Sequence, residues 1–288
     1  MLKGKLGKAI MKTNIKQIVK KKIAAVLQRV KKRQIRKIIE KAQKTRVAPP
    51  PLLQNPLEKV MIIYRISDVG YKKIKPTYIN NEKCLKNAVT QFPLDNHNWV
   101  VIADNVCEET YNMIKKYIPE SSIQKVSIGH GAGTFRIGYQ IAMKNDDDTV
   151  VCFLENDYLH RDNSAQILRE GFCLGEAEYI TLYDHPDKYG YNTPNPYVCG
   201  GEKTFVFLSK SVHWKITNST TMTFAAQVKT LRKDWDVFDR WTQDNHPYDF
   251  EIFVELGQKK RKVISPLPGY STHGEVAWLS PLTDWGSV

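Results

Sequence analysis

Two carboxylates stand two residues apart in "TVVCFLENDYLH", residues 149–160. The apolar run Val150 to Leu154 stops at Glu155, Asn156 and Asp157. On extended backbone, side chains at i and i+2 point the same way, so Glu155 and Asp157 can converge. Converging carboxylates repel unless a proton or a cation lies between them. Hard divalent ions such as Mn2+ or Mg2+ take such oxygens and leave positions open for substrate phosphates. A strand-end turn, where Asn and Asp are common, accounts for the bare tripeptide without any ligand.

Other residues of the same chemistry surround it. Asp68 follows the apolar run "MIIYRIS", and Asp104 follows "VVIA". Upstream of Glu155 lies Gly129-His130-Gly131-Ala132-Gly133, which opens a helical pattern. Its glycines let backbone come close to a ligand, and a helix N-terminus favours negative charge. The segment is neither GxGxxG nor a P-loop, because no "GK[ST]" follows.

These residues need a frame. "KVMIIYRISD", "NWVVIADNV", "IQKVSIG" and "TVVCFLEND" read as strands. "KCLKNAVTQF", "CEETYNMIKKYI" and "GAGTFRIGYQIAMK" between them read as helices. Alternation of this kind predicts an α/β fold, a mixed and mostly parallel sheet with helices on both faces. Ligands of such sheets bind at the carboxyl ends of the strands, where Asp68, Asp104, Glu155 and Asp157 fall. The second half is less regular. "EYITLYDHPDKYG" holds a strand ending at Tyr183-Asp184, and "TPNPYVCGGEKTFVFLSK" a loop and a strand. "TFAAQVKTLRKDWDVFDRW" and "YDFEIFVELGQKKRKVI" read as helices, and the C-terminal "SPLPGYSTHGEVAWLSPLTDW" as loop.

The order of acid-tipped strand, second acid-tipped strand, glycine-rich loop with helix, then "FLENDY" resembles the nucleotide-sugar half of the GT-A-fold glycosyltransferases. The likeness is strongest to their large inverting family. It spans residues 58–160 and extends more loosely to 285. "VCFLENDYLH" occupies the place of the DxD motif, with Glu155 where Asp is usual. The resemblance implies Mn2+ or Mg2+, a nucleoside diphosphate sugar donor (UDP favoured) and an acceptor hydroxyl, on a glycan for instance. It implies that Asp157, His273 and Glu155 hold the metal, His273 from a mobile C-terminal loop. Asp157 is the stronger ligand candidate, since Glu155 is one methylene longer. Asp68 and Asp104 fall where such enzymes contact base and ribose. Gly131, Glu155 and Asn156 fall with the donor. Arg65 and Arg136 either meet the diphosphate or pair with an acid. The base of an inverting transfer tends to open a helix well after the motif, which points to Asp249 or to Asp244 just before it. Glu251 and Asp239 are further candidates, and an acid in a first helical turn is also an ordinary cap. His130 and His160 rank below His273. Trp235, Trp241, Trp278, Trp285, Tyr189, Tyr191 and Tyr197 are core or acceptor-facing aromatics, and "TNSTTMTFAA" caps a helix or touches a sugar. Two rival readings are a sugar-phosphate nucleotidyltransferase and a non-catalytic nucleotide- or glycan-binding protein with an anchoring tail.

The formal charge of +13 is unevenly placed. Residues 1–46 hold 13 Lys and 4 Arg against Glu40 alone, while the other 242 residues hold 26 basic and 29 acidic side chains. A nucleic-acid-binding core would carry a basic face of its own, so no specific nucleic acid is expected. Within 1–46, Ile15, Val19, Ile23, Val26 and Val30 recur at helical spacing opposite Lys and Arg, and Ile35, Ile38 and Ile39 continue a related face. That pattern suits an anionic membrane surface, a partner protein or a solvated extension. "APPPLLQNP" then breaks the helix, giving a tail over 1–46, a linker over 47–57 and a domain over 58–288. The domain divides into a nucleotide half, 58–160, and an acceptor half, 161–288. No apolar run reaches the ~18 residues of a membrane span. Five scattered cysteines and no apolar leader segment give the expectation of a cytoplasmic protein, peripheral on a membrane if the tail binds one. A membrane-seeking tail predicts that the full chain co-sediments with anionic vesicles, while a chain starting at Leu52 stays in the supernatant. Equal partition of the two removes that reading.

Overall fold

The structure, a computed structural model, describes residues 20, 23–24, 26–37, 60–70 and 73–288. The chain forms two units, Met1–Pro50 and Pro51–Val288. In the first, the described residues between 20 and 37 are helical (α1). Ile23, Val26, Val30 and Ile35 of the apolar stripe are exposed there. Ile15, Val19, Ile38, Ile39 and the linker at 47–57 lie outside the described residues. No helix among the described residues is long and apolar enough to cross a membrane.

The second unit is built on β1 (Val60–Ser67). Beside it lie β2 (Asn98–Asp104), β3 (Ile123–Val126) and β4 (Val150–Glu155), all parallel. β1 and β4 need no alternation to be read as strands, because β1 is buried from Val60 to Ile66 and β4 from Val150 to Leu154. Covered on both faces, such strands appear as continuous apolar runs. The sheet continues through β9 (Phe224–Gln227), β6 (Tyr179–Ile180), β10 (Val263–Leu267), β8 (His213–Thr217) and β7 (Val206–Leu208). Among these nine strands only β8 and β9 run against the others. The sheet is therefore mixed and mostly parallel, as the alternating pattern implied. A two-stranded sheet pairs β5 (Tyr158–His160) with β11 (Ser271–His273).

Helices cover both faces. On one lie α2 (Asn81–Gln91), α3 (Glu108–Lys115) and α5 (Ser164–Cys173), packed on the cluster of Ile62, Tyr64, Val101 and Cys152. On the other lie α4 (Gly131–Ala142), α6 (Val228–Trp241) and α7 (Asp249–Gln258), around Phe135, Tyr139, Phe153 and Phe224. Two helix boundaries differ from the sequence reading. Residues 224–227 form β9 rather than the start of α6, because Phe224, Ala225 and Ala226 are buried between β4 and β6. Sheet pairing overrides the helical preference of two alanines. The helix read over "YDFEIFVELGQKKRKVI" stops at Gln258, where Lys260 turns with φ +63°, and Val263 and Ile264 belong to β10. β5, β8, β10 and β11 were not anticipated; each is five residues or fewer.

Gly138 lets α4 lie close to the sheet. A Cβ there would sit 2.9 Å from Ile63 Cγ2 and 3.3 Å from Ile102 Cδ1. Overpacking a rigid core forces neighbours off their rotamers. Gly138→Val is expected to lower stability by about 1–3 kcal/mol in a urea titration; an unchanged midpoint would contradict this packing.

Candidate active site

Strand register gathers the site. β1 places Arg65 opposite Glu155 of β4, and Ser67 opposite Asp104 of β2. The carboxyl ends of these strands open into a cleft of about 950 Å³. Its lining includes Arg65, Asp68, Asp104, Gly131, Glu155, Asn156, Asp157, Asp249 and His273, residues scattered over more than 200 positions of sequence. Asp244 and Arg136 are outside that lining.

Arg65 is the floor. It is buried, and its guanidinium reaches Glu155 Oε1 at 2.9 Å, donates to Gly131 O at 2.9 Å and lies over the Phe135 ring. Glu155 also accepts from Thr223 Oγ1 at 3.2 Å. Of the two alternatives for Arg65, the acid pair is the one seen. Asn156 donates to Ser67 O and to Asn81 Oδ1, tying the β4 turn to β1 and α2.

Asp68 and Asp104 hold the rim together. Asp68 accepts from Cys107 N at 2.8 Å, Thr110 Oγ1 at 2.9 Å and Asn81 Nδ2 at 3.1 Å. It thereby supplies the cap that Cys107, at the start of α3, does not. Asp104 accepts from the backbone N–H groups of Ile128 and Gly129. Gly129 bends the chain over it at φ +82°, a conformation that costs glycine little. The glycine-rich loop is thus clamped to the end of β2. His130 caps α4, its Nδ1 accepting from Gly133 N at 3.1 Å.

Asp157 lies deeper, 6 % exposed. Lys73 Nζ donates to its Oδ2 at 2.9 Å, Lys75 Nζ stands 3.9 Å away, and His273 Nε2 lies 3.3 Å away. Lys73 Nζ is also 3.0 Å from His273 Nε2. Burial works against ionisation of Asp157, but His273 and Lys73 outweigh it and hold the carboxyl well below its usual range. Burial likewise opposes the charge on Lys73, and Asp157 and Glu155 more than restore it. His273 is not on a mobile loop as expected. It belongs to β11, paired with Tyr158 of β5, and Ser271 and Thr272 before it are fully buried.

Asp249 opens α7 at the far wall, half-buried, with its Oδ1 accepting from Phe250 N at 2.7 Å. Burial and the nearby Glu155 carboxylate push its carboxyl up to about 7. A carboxyl poised there exchanges protons near neutrality. Asp244 is exposed and accepts from Tyr248 Oη at 3.2 Å. Arg136 pairs at 2.7 Å with Asp239 of α6, a helix acid rather than one at a strand end, so the expected donor contact is replaced by a helix-to-helix tie. Glu251 is not in the cleft lining. His160 is buried against Phe92, and burial pushes its imidazole down to about 3.

Of the singled-out aromatics, Trp278 lines the cleft beside His185, with ring centres 5.2 Å apart. Trp285 is core, Trp235 packs at a tilt against Tyr139, and Tyr191 and Tyr197 are exposed. Thr221 and Met222 of the hydroxyl-rich segment reach the lining. Sequence reasoning missed Lys73, Lys75 and His185. The one signal for the lysines was their crowding after β1, in "GYKKIKP".

No family model matches the chain, and no curated protein does. Solved structures do. GalNAc-T7, crystallised with UDP, GalNAc and Mn2+, superposes with a TM-score of 0.51 at 12% identity. That match covers 75% of this chain and 43% of the other. The fold is of the GT-A type. This chain spans less than half the length of that transferase. Two weaker likenesses have TM-scores of 0.40. The galactosyltransferase LgtC, solved with donor and acceptor sugar analogs, is 13% identical over 72% of this chain and 73% of its own. The 4-diphosphocytidyl-2C-methyl-D-erythritol synthase of Anaerococcus prevotii is 10% identical over 80% and 93%.

The raised carboxyl of Asp249 has a signed consequence for stability. Its folded value lies near 7 and its unfolded value near 3.8, so the folded state holds the proton more tightly. Stability is lost as pH rises between those values, and the full cost is present above 7. Asp249→Asn removes the cost. The variant should melt at least about 4 °C above the unaltered chain at pH 8 and close to it at pH 4. The same difference at both pH values would contradict the assignment.

Proposed function

We propose that this chain transfers a sugar from a nucleoside diphosphate sugar to an acceptor hydroxyl. One observation carries the reading. In a GT-A-type sheet, the cleft at the strand ends combines a cationic cluster with a half-buried carboxyl poised near neutrality. The cations suit a diphosphate and the carboxyl suits the proton of an attacking hydroxyl.

In this reading the nucleoside lies toward the Asp68 and Asp104 rim, with the glycine-rich loop beside it. The diphosphate lies toward Lys73, Lys75 and the turn at Glu155–Asp157. Asp249, rather than the exposed Asp244, takes the acceptor proton. The acceptor oxygen forms a bond to the anomeric carbon as the bond to the diphosphate breaks, and the electron pair leaves with the phosphate oxygen. Direct displacement of this kind inverts the anomeric centre. UDP is the favoured nucleotide by resemblance, and Trp278 offers an aromatic face to an acceptor sugar.

The resemblance also implies Mn2+ or Mg2+, and GalNAc-T7 was crystallised with Mn2+. The donor set here does not fit such an ion. Glu155 is engaged by Arg65 and Thr223, and Asp157 Oδ2 and His273 Nε2 both face the Lys73 ammonium. Among the described residues no three His, Cys, Asp or Glu side chains are grouped to hold a metal.

Calorimetric titration with UDP-, GDP- and CDP-sugars tests the reading. The unaltered chain should bind at least one of them. Asp249→Asn should keep that binding and lower transfer to a glycan acceptor by about 10²–10⁴. Preference for a nucleoside triphosphate would favour nucleotidyl transfer instead. Absence of any binding overturns the proposal.

A further inference from the structure

The place where Asp157 and His273 meet holds a cation of the chain's own. An ammonium has three N–H donors and no acceptor. His273 Nε2 lies 3.0 Å from Lys73 Nζ and 3.3 Å from Asp157 Oδ2, so it accepts from the ammonium in one tautomer and donates to the carboxylate in the other. In either tautomer Nε2 is engaged by a side chain of this protein. The same Nζ takes Asp157 Oδ2 at 2.9 Å. The other acid of the motif is taken by a second internal cation, Arg65. Both carboxylates of Glu155-Asn156-Asp157 are thus neutralised by side chains.

The other acids of the cleft are held in different ways. Six carboxylates line it against Arg65, Lys73 and Lys75. Asp68 and Asp104 have their oxygens filled by backbone and side-chain donors of the rim. Asp249 shares its proton near neutrality. That leaves Glu155 with Arg65, Asp157 with Lys73, and Glu275 4.0 Å from His273 Nδ1. Lys73 spends an N–H group on Asp157, and even with a second on His273 it keeps a third for a ligand. Lys75 stands beside it, a third exposed.

Resting on the transferase reading, we propose that the ammonium groups of Lys73 and Lys75 stand in for a divalent cation as counter-charge to the donor's diphosphate. Donor binding and transfer then need no metal ion. The bond made and the bond broken are those given above. The acceptor proton goes to the Asp249 carboxylate, and the negative charge gained by the leaving diphosphate develops beside Lys73. Asp157 and His273 are positioning residues that aim the ammonium. A fixed ammonium supplies charge stabilisation in a water-poor site without reorganising.

The test is calorimetric titration of UDP, GDP and their sugar derivatives into the unaltered full chain, once in EDTA and once with MnCl2. The proposal predicts binding in EDTA, changed less than about threefold by Mn2+. Lys73→Ala should weaken diphosphate binding by about tenfold or more, and Lys73→Arg should keep most of it. Lys75→Ala, at a more exposed position, should weaken it less. Binding that appears only with Mn2+ overturns this inference and leaves the transferase reading standing. Equal affinity in Lys73→Ala and the unaltered chain also overturns it. Absence of binding in both conditions overturns the transferase reading, and this inference with it. The EDTA comparison needs no variant, so a Lys73→Ala chain that fails to fold does not blunt it.

Discussion

The ion pair between Arg65 and Glu155 joins the two central strands where the cleft begins. Both residues occupy one register position, on β1 and β4, so the pair follows from the parallel ladder. Buried at 5 % exposure, Arg65 has little water to turn to. It uses Glu155, the Gly131 carbonyl and the Phe135 face instead. One side chain thereby links β1, β4 and the first residue of α4. Removing one member of such a pair leaves the other charged and poorly solvated, typically at a cost of about 3–5 kcal/mol for fully buried pairs. Glu155 keeps 28 % side-chain exposure, so the cost here is smaller.

The remaining acids extend the same logic around the strand ends. Asp104 clamps the glycine-rich loop, Asp68 caps α3 from β1, and Asn156 ties the β4 turn to α2. A cleft framed by side chains with defined partners is pre-organised, which is what electrostatic catalysis demands. Asp249 is the exception. It accepts from the N–H of Phe250, and burial together with the nearby Glu155 carboxylate lifts its proton affinity.

Much of this was legible in the sequence, for a physical reason. β1, β2 and β4 are buried on both faces, so their residues had to be apolar, and the acids that end them stood out. The glycine-rich entry to α4 was equally plain. Short strands were not. β5, β8 and β11 have three to five residues, too few to show a period. Phe224-Ala225-Ala226 became strand because β4 and β6 needed a neighbour, which is a tertiary fact. The fates of the basic residues were hidden for the same reason. Lys73 meets Asp157 and His273 across 84 and 200 residues of chain. Nothing local distinguished it from a solvated lysine, nor Arg136, held by Asp239, from a phosphate ligand.

The central claim is sugar transfer at this cleft. It is tested most directly by following release of nucleoside diphosphate from a panel of nucleotide sugars, with and without glycan acceptors, across pH. The account predicts release that requires an acceptor and rises as pH passes through about 7, where Asp249 gains the capacity to take a proton. Release from no donor under any acceptor, or release indifferent to Asp249→Asn, would contradict it.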